Sequence, residues 1–315
     1  MNQVATRLRG QDFLAVRDLP PADLEGLLQM AVRLKSGADP GTPLQRRSIA
    51  MVFLRPSNRT RVSFEAAINR LGGHPIALFD REIELGRRES VADVGRILDR
   101  FVDGLVARIP SQRDLLGLAA SMTGPVINAM TDQGHPCQIL ADCLTVQEAA
   151  GHLAGARVTF VGDGNNVCAS WIEAAHVADL DLRVVTPPGY GPAESVLAGA
   201  SAPGLEGRGT VLVTTDLDRG LLDTEVIYTD VWTSMGQEDQ HEDRRQDFGP
   251  YQINEGVLRR APRGIKVMHC LPAHRGEEIT DSVIDGPQSI VFDQAENRYW
   301  VQLALLAAIY GSDLS

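Results

Sequence analysis

The sequence predicts an α/β protein made of two doubly wound parallel-sheet domains that are joined by interdomain helices. Short apolar runs alternate with amphipathic helical segments over residues 48–148, and the alternation starts again at residue 157. A long apolar helical segment then closes the chain. Alternation at this pace is typical of a parallel sheet covered on both faces. We predict a first domain over residues 1–148, a second over 149–295, and a C-terminal helix, 296–315, that packs back on the first domain.

The first predicted domain begins with a helix that carries an apolar stripe within residues 22–34. A second helix starts at Ser57 and ends before two glycines at 72 and 73. A charged loop is predicted over residues 80–89, followed by a helix from Ser90 whose apolar face includes Ile97 and Phe101. The predicted strands of this domain are residues 48–54, 75–79, 104–109 and 126–128.

The second predicted domain repeats this architecture. Its helices are predicted at residues 168–177 and 193–200, and a third helix at 137–150 precedes the domain. Turn residues such as those at 187–189 separate the elements. The predicted strands are residues 157–161, 182–185, 210–214, 226–230, 265–271 and 289–292.

Composition and charge limit the classes of function. The chain has 315 residues, of which 43% are hydrophobic, so it can form two domains with substantial cores. Its formal net charge of -11 argues against general binding to nucleic acid or to an anionic membrane surface. Positive charge that binds an anionic substrate must therefore be gathered locally. This balance suits a small anionic molecule held in a cleft.

The sequence also indicates a cytoplasmic location. No apolar run is long enough to span a bilayer, and the first residues lack the apolar core of a secretion signal. The four cysteines show no paired C-x-x-C spacing. We therefore expect reduced thiols, no metal site and no cofactor.

The strongest local motif is the string SNRTR, which joins a predicted strand to a predicted helix. It contains Ser57, Asn58, Arg59 and Thr60. The free N–H groups and the dipole at a helix start favour an anion there. Arginine adds a planar fork of donors that matches phosphate. The motif predicts a phosphate site, and the alternative is an ordinary capped helix with surface arginines.

Further candidate residues follow other strand ends of the first domain. Arg108 ends the strand GLVARI, while His135 and Gln138 open the helix after the next strand. A histidine there can donate to a developing oxyanion. Arg298 begins the last helix and adds a third arginine. The alternatives are a helix cap for His135 and a surface ion pair for Arg298.

The second domain offers a different set of groups. The string GDGNN follows its first strand, but valine stands at position 167, where a dinucleotide fingerprint requires the third glycine. Asn165 and Asn166 instead place neutral amides at a helix start, which suits an amino-acid carboxylate. Asp230 ends another strand and is a natural partner for an amine. The alternative for Asp230 is a loop cap.

Cys270 lies at the tip of the strand IKVMHCL. A cysteine in such a place can act as a nucleophile, bind a metal or share a proton with a neighbouring group. No second ligand at metal spacing accompanies it. A carboxylate on a parallel strand, Asp230, makes proton transfer the better interpretation.

Together these motifs resemble the aspartate/ornithine carbamoyltransferase family, and within it the members that use ornithine. The strings SNRTR, HPCQILAD, DGNN, DVWTSMGQE and HCLP occur in the family's order over nearly the whole chain. The cysteine of HCLP and the intact SMG string favour ornithine over aspartate as acceptor. The resemblance implies transfer of the carbamoyl group of carbamoyl phosphate to ornithine, giving citrulline and phosphate in arginine biosynthesis or catabolism.

The resemblance also assigns residues to the two substrates. It implies catalytic roles for Arg108, His135, Cys270 and Asp230, and a cis peptide bond between Leu271 and Pro272. It implies that ornithine is held by Asn166, Asp230, Ser234 and Met235. It implies that carbamoyl phosphate is held by Ser57, Asn58, Arg59, Thr60, Arg108, His135, Gln138, Cys270, Leu271 and Arg298.

Family members form trimers, or assemblies of trimers, with active sites at subunit boundaries. The loop that completes a neighbour's site corresponds to residues 82–89. Glu84 departs from the glutamine usual there, and a carboxylate beside phosphate is repulsive unless Arg87 or Arg88 neutralises it.

Three alternatives to this function stay open at the level of sequence. The acceptor could be another amine, such as putrescine or N-acetylornithine. The GDGNN turn could belong to a nucleotide-binding dehydrogenase. Finally, Glu84 would also fit a catalytically silent subunit of the same fold.

Overall fold

The computed structural model describes residues 7–200, 208–233 and 238–311. The chain separates into two compact units. One unit contains the residues up to Ala141 and those from Glu296 onward, and the other contains Asp142–Ala295. The first division falls within a helix, Pro136–Ala150.

The first unit has a four-stranded parallel sheet in the order β2-β1-β3-β4. Every residue of its first strand except Ser48 is buried, as expected for a sheet covered on both faces. The strands are β1 (Ser48–Phe53), β2 (His74–Phe79), β3 (Gly104–Arg108) and β4 (Val126–Met130). The helices are α1 (Pro21–Lys35), α2 (Asn58–Arg70), α3 (Asp80–Ile83), α4 (Val91–Leu98), α5 (Gln112–Ser121) and α6 (Pro136–Ala150).

The second unit has a five-stranded parallel sheet in the order β7-β6-β5-β8-β9. The fold class predicted from sequence is therefore confirmed, including the C-terminal helix, whose residues from Glu296 belong to the first unit. The strands are β5 (Arg157–Val161), β6 (Asp181–Val185), β7 (Thr210–Thr214), β8 (Val226–Thr229) and β9 (Lys266–His269). The helices are α7 (Asn166–Val177), α8 (Glu194–Ala200), α9 (Leu217–Leu221), α10 (His241–Phe248), α11 (Glu255–Arg260), α12 (Asp281–Ile284) and α13 (Val291–Tyr310).

Strand order brings the candidate residues together at one edge of each sheet. In the first unit β1, β3 and β4 are neighbours, and Ser57, Arg108 and His135 lie at or just beyond their carboxyl ends. In the second unit β8 lies between β5 and β9, so Asp230 and Cys270 end adjacent strands. Ligands of open parallel sheets bind at this edge.

Three local predictions are wrong. The run predicted as a strand at 289–292 makes a single bridge, between Ser289 and Val267, and α13 already begins at Val291. Four apolar residues cannot distinguish a strand from the start of a buried helix. Residues 80–83 form α3 within the predicted loop, because the Glu82 carboxylate accepts a hydrogen bond from the N–H of Phe79. The predicted apolar face is also exposed at Ile97, by 47% within α4, and at Phe101, by 74% beyond the end of α4 at Leu98.

Among the residues described, none of the helices combines the length and the apolarity that crossing a bilayer requires.

Candidate active site

Three arginines and one histidine form a cationic cluster in the first unit, and its members come from four separate elements. Arg298 of α13 donates through Nη2 to the hydroxyl oxygen of Thr60 in α2, at 2.5 Å. The positive charges of Arg298, Arg108 and Arg59 all act on His135. Residues as distant in sequence as 59 and 298 therefore face the same small region. Repulsion among these groups makes the region suited to an anion with more than one negative charge.

Two helices also begin at this cluster. Ser57 is the N-cap of α2, and its own side chain accepts no hydrogen bond from the described first turn. His135 caps α6 with its carbonyl oxygen, which accepts from the N–H groups of Gln138 and Ile139 at 3.0 and 3.2 Å. Helix starts with outward N–H groups add partial positive charge to the arginines. Asn58 is exposed, whereas Thr60 and Gln138 are buried.

His135 is neutral at physiological pH. Burial, followed by the charges of Arg298, Arg108 and Arg59, holds the pKa of this imidazole well below 6.5. A neutral ring can donate one hydrogen bond to a carbonyl or oxyanion oxygen without adding a further cation to the cluster. It can thus polarise a carbonyl while the arginines hold the anionic part of the same molecule.

The depressed pKa of His135 gives a test of anion binding. We expect inorganic phosphate to raise the His135 pKa toward 6.5, because a bound anion offsets the three guanidinium charges. NMR titration of the imidazole with and without phosphate measures this, and a His135→Asn protein assigns the signal. The exposed His152, on the second unit, serves as the control and should not move. An unchanged His135 pKa at saturating phosphate would show that the cluster does not hold the anion.

A carboxylate and a thiol form the second cluster, in the second unit. Asp230 accepts hydrogen bonds from the Cys270 thiol at 2.9 Å, from the Asn165 amide at 2.8 Å and from the N–H of Val231 at 2.8 Å. Asp230 is only 7% exposed. Asp230 is therefore fixed in position by three donors and carries the negative charge of the site.

The Cys270 thiol stays protonated. Desolvation and the negative charges of Asp230 and Asp142 raise the pKa of this thiol well above 9.0. Cys270 thus donates to Asp230 and is a poor nucleophile in this state. The pair is suited to binding an amine and to sharing its proton, which agrees with the interpretation made from the sequence.

Leu271 has an unusual backbone conformation next to this thiol. Its φ is 57°, and the Leu271–Pro272 peptide bond is cis, as the family resemblance implies. The N–H of Leu271 donates to Nδ1 of His269 at 2.8 Å, and His269 Nε2 lies 3.0 Å from the buried Glu278 carboxylate. Nδ1 must accept, so Nε2 carries the proton. The buried pair of His269 and Glu278 therefore holds Leu271 in its left-handed backbone conformation.

Arg244 of α10 connects three parts of the second unit. One guanidinium nitrogen donates to Asp163 at 2.9 Å and to the carbonyl of Trp232 at 2.8 Å, and the guanidinium lies over the Tyr190 ring. Both charged side chains are nearly buried, at 7% and 11% exposure. Burial raises the pKa of Asp163, and Arg244 opposes that shift. Arg244 thus fixes the segment that leads into residues 234–237.

We expect Arg244→Met to lower the free energy of unfolding by about 3–5 kcal/mol, because it leaves the buried Asp163 without its partner. Urea unfolding measures this. Arg245→Met is the matched control, since Arg245 is exposed on the same helix. Equal stability of the two variants would contradict the role of the ion pair.

The GDGNN turn is shaped by close backbone packing. A Cβ at Gly164 would lie 2.4 Å from the backbone of Gly191 and Pro192, so only glycine fits there. Of the two asparagines predicted at this helix start, Asn165 caps α7 and contacts Asp230. Asn166 is the first residue of α7 and is half-buried. The predicted residues Ser234 and Met235 lie outside the described residues.

The predicted intersubunit loop contains Arg87, one of the two arginines that could neutralise Glu84. The Arg87 guanidinium pairs with the Asp80 carboxylate at 2.8 Å. Glu84 itself has a left-handed backbone, with a φ of 42°.

Sequence reasoning missed Asp142, Tyr228 and the pair of His269 with Glu278, and it did not predict that Asn165 contacts Asp230. Only the HCLP string pointed toward His269. Asp230, His269 and Cys270 also place possible metal-ligating atoms within 4.8 Å of one another. Both ring nitrogens of His269 already have partners in the protein. A metal ion there would have to break one of these bonds.

Fold and site together define an α/β protein with a cluster of arginines at one parallel sheet and a buried carboxylate, bonded to a thiol, at the other. Two family models match the chain: the carbamoyl-P binding domain of aspartate/ornithine carbamoyltransferase over residues 11–148, and its Asp/Orn binding domain over residues 154–309. The chain belongs to the aspartate/ornithine carbamoyltransferase family.

Individual relatives agree with this assignment. An ornithine carbamoyltransferase of Anoxybacillus flavithermus is 43% identical over 98% of this chain and 100% of its own. The solved ornithine carbamoyltransferase of Pyrococcus furiosus has a TM-score of 0.92 at 44% identity and covers 97% of this chain and 99% of its own. The anabolic enzyme of Campylobacter jejuni has a TM-score of 0.89 at 32% identity, with 94% and 97% covered.

Proposed function

We propose that this protein transfers the carbamoyl group of carbamoyl phosphate to the δ-amine of L-ornithine, which yields L-citrulline and phosphate. The observation that carries the proposal is the convergence of Arg59, Arg108 and Arg298 on the neutral His135. It is supported by membership of the carbamoyltransferase family and by the names of its relatives.

In this proposal the first unit holds carbamoyl phosphate. The arginines and the first turn of α2 bind the phosphate, and Thr60 can donate its own proton because its oxygen already accepts from Arg298. His135 and Gln138 are placed to bind the carbamoyl end. As the amine attacks, the carbonyl oxygen gains negative charge and the phosphate leaves with its own charge. Fixed donors stabilise both changes.

The second unit holds ornithine. Asp230 supplies the negative charge for an ammonium group, while Asn166 and the Ser234–Met235 segment are proposed for the amino-acid end. The δ-amine attacks only when neutral, and its pKa in water is near that of lysine, about 10.4. Because the thiol donates to Asp230, a proton from the amine can move toward Asp230 through Cys270. No covalent bond to sulfur is needed.

The substrate assignment is tested by a steady-state citrulline assay with carbamoyl phosphate and a panel of amines. We expect turnover with L-ornithine and far less with putrescine, N-acetylornithine or L-aspartate. Turnover of another amine at a higher kcat/KM would overturn the proposed acceptor. An NADH titration provides a separate check, and we expect no saturable binding.

We further propose that the protein is a cytoplasmic homotrimer in which residues 82–89 complete a neighbouring site. Val62 and Phe101 of the first unit are 49% and 74% exposed, and such apolar side chains suit an interface. Light scattering of the purified protein measures the assembly. Mixing two inactive variants, one at Arg298 and one in the loop, tests the shared site, since a trimer with shared sites regains activity and independent subunits do not.

A further inference from the structure

Asp142 is a buried carboxylate of the second unit that the proposed mechanism does not use. It ends the string HPCQILAD and is 0% exposed. Its Oδ1 accepts a hydrogen bond from Nε2 of Gln294 at 2.7 Å. Burying a carboxylate costs free energy unless neighbouring groups form hydrogen bonds or ion pairs with it. The groups around Asp142 therefore indicate its role.

Gln294 connects Asp142 to the strand end that carries Cys270. The oxygen of its amide accepts from the backbone N–H of His269 at 2.8 Å, and the residue is 1% exposed. A backbone N–H can only donate, so this contact fixes which end of the amide is oxygen. Nε2 must then face Asp142, which must accept. Asp142, Gln294 and the last residue of β9 therefore form one oriented chain of hydrogen bonds.

Tyr228 provides a second connection. Its ring is fully buried, at 5.7 Å from the Phe160 ring and 5.4 Å from the Trp171 ring. Burial and then the neighbouring acidic groups of Asp142, Cys270 and Asp230 raise the pKa of this phenol well above 10.0. The Tyr228 hydroxyl therefore lies among the same acidic groups as the thiol and stays protonated.

We propose that Asp142 is a positioning residue for the Cys270 thiol, acting through Gln294 on the end of β9 and through Tyr228 on the thiol itself. The proposal deepens the proposed function and rests on it, because Cys270 matters only if an amine binds at Asp230. Asp142 touches neither substrate. It sets where the thiol lies and how strongly the thiol holds its proton.

Asp142→Asn tests the proposal while preserving shape. The amide oxygen can still accept from Gln294, but the charge is lost. Glu148→Gln is the matched control, since it removes a carboxylate from an exposed position on α6. The first readout is the rate at which iodoacetamide alkylates Cys270, measured by mass spectrometry over a pH series. The other three cysteines are buried, and a Cys270→Ser protein gives the background.

We expect Asp142→Asn to alkylate faster than the wild type at neutral pH, by about tenfold for each unit of decrease in the thiol pKa. We expect its kcat to fall about 10- to 100-fold, with KM for carbamoyl phosphate unchanged. Glu148→Gln should match the wild type in both. Asp142→Asn with wild-type alkylation and wild-type kcat would overturn the proposal.

Tyr228→Phe separates positioning from a general loss of packing. The hydroxyl lowers the pKa of the thiol, so its removal should slow alkylation, whereas Asp142→Asn should accelerate it. If Asp142 and Tyr228 had only a structural role, the alkylation rate of Cys270 would change in the same direction in both variants, and this result would overturn the proposal. If Asp142→Asn is poorly folded, Tyr228→Phe tests the proposal alone. Alkylation of Cys270 should then be slower in Tyr228→Phe than in the wild type. A wild type that forms no citrulline would overturn the proposed function, and the alkylation comparison would be unaffected.

Discussion

Replacing Arg298 with methionine is expected to lower kcat/KM for carbamoyl phosphate about 100- to 1000-fold, the usual cost of losing one fixed donor to developing charge. Arg298 donates to Thr60 and is the largest charged influence on His135. The variant therefore removes a phosphate contact and the donor that orients Thr60. Steady-state kinetics with varied carbamoyl phosphate measure the effect, and KM for ornithine should change little.

A second readout separates this explanation from misfolding. In a folded Arg298→Met protein the pKa of His135 should rise, because a nearby positive charge is gone. Arg100→Met is a suitable control, since Arg100 is exposed in the same unit. Wild-type kcat/KM in the Arg298 variant would contradict its role at the site.

Asp230→Asn is expected to raise KM for ornithine at least about 30-fold, which corresponds to about 2 kcal/mol for truncating one partner of a buried charge pair. Asparagine keeps the size of the side chain but loses the charge that attracts an ammonium. It also has only one oxygen to accept from Cys270 and Asn165. Initial rates at saturating carbamoyl phosphate measure the change.

Cys270 gives an independent check on Asp230→Asn. The charge of Asp230 raises the pKa of the thiol, so its loss should accelerate alkylation at neutral pH. Asp223→Asn is the control, because Asp223 is exposed and has a left-handed backbone that asparagine tolerates. An ornithine KM within twofold of the wild type would exclude Asp230 as the amine partner, since a twofold change is only about 0.4 kcal/mol.

The sequence was sufficient for the fold class and for much of the first cluster. Apolar periodicity reveals strands and helices, and parallel strands have a common carboxyl edge, so Arg108 and His135 could be expected to be neighbours before any coordinates. The last helix was harder to predict from the sequence. Its return to the first unit, which brings Arg298 to Thr60, was predicted, but its start at Val291 was not.

The parts that sequence could not predict depend on side-chain orientation. Asn165 and Asn166 are identical in type, and only the geometry of the α7 cap decides that Asn165 contacts Asp230. Asp142 is an ordinary residue of a predicted helix and Gln294 precedes the predicted start of the last helix, yet both are buried and joined to β9. Hydrophobic patterning predicts which face is buried. It does not predict which buried polar groups become partners.

Calorimetric titration of carbamoyl phosphate into the protein without ornithine shows directly whether the arginine cluster binds this substrate. We predict saturable binding to the wild type that weakens with added salt, and loss of this binding in an Arg59→Ala protein that folds normally. Undiminished binding to Arg59→Ala would contradict the claim that guanidinium groups from separate strand ends and the last helix hold one phosphate.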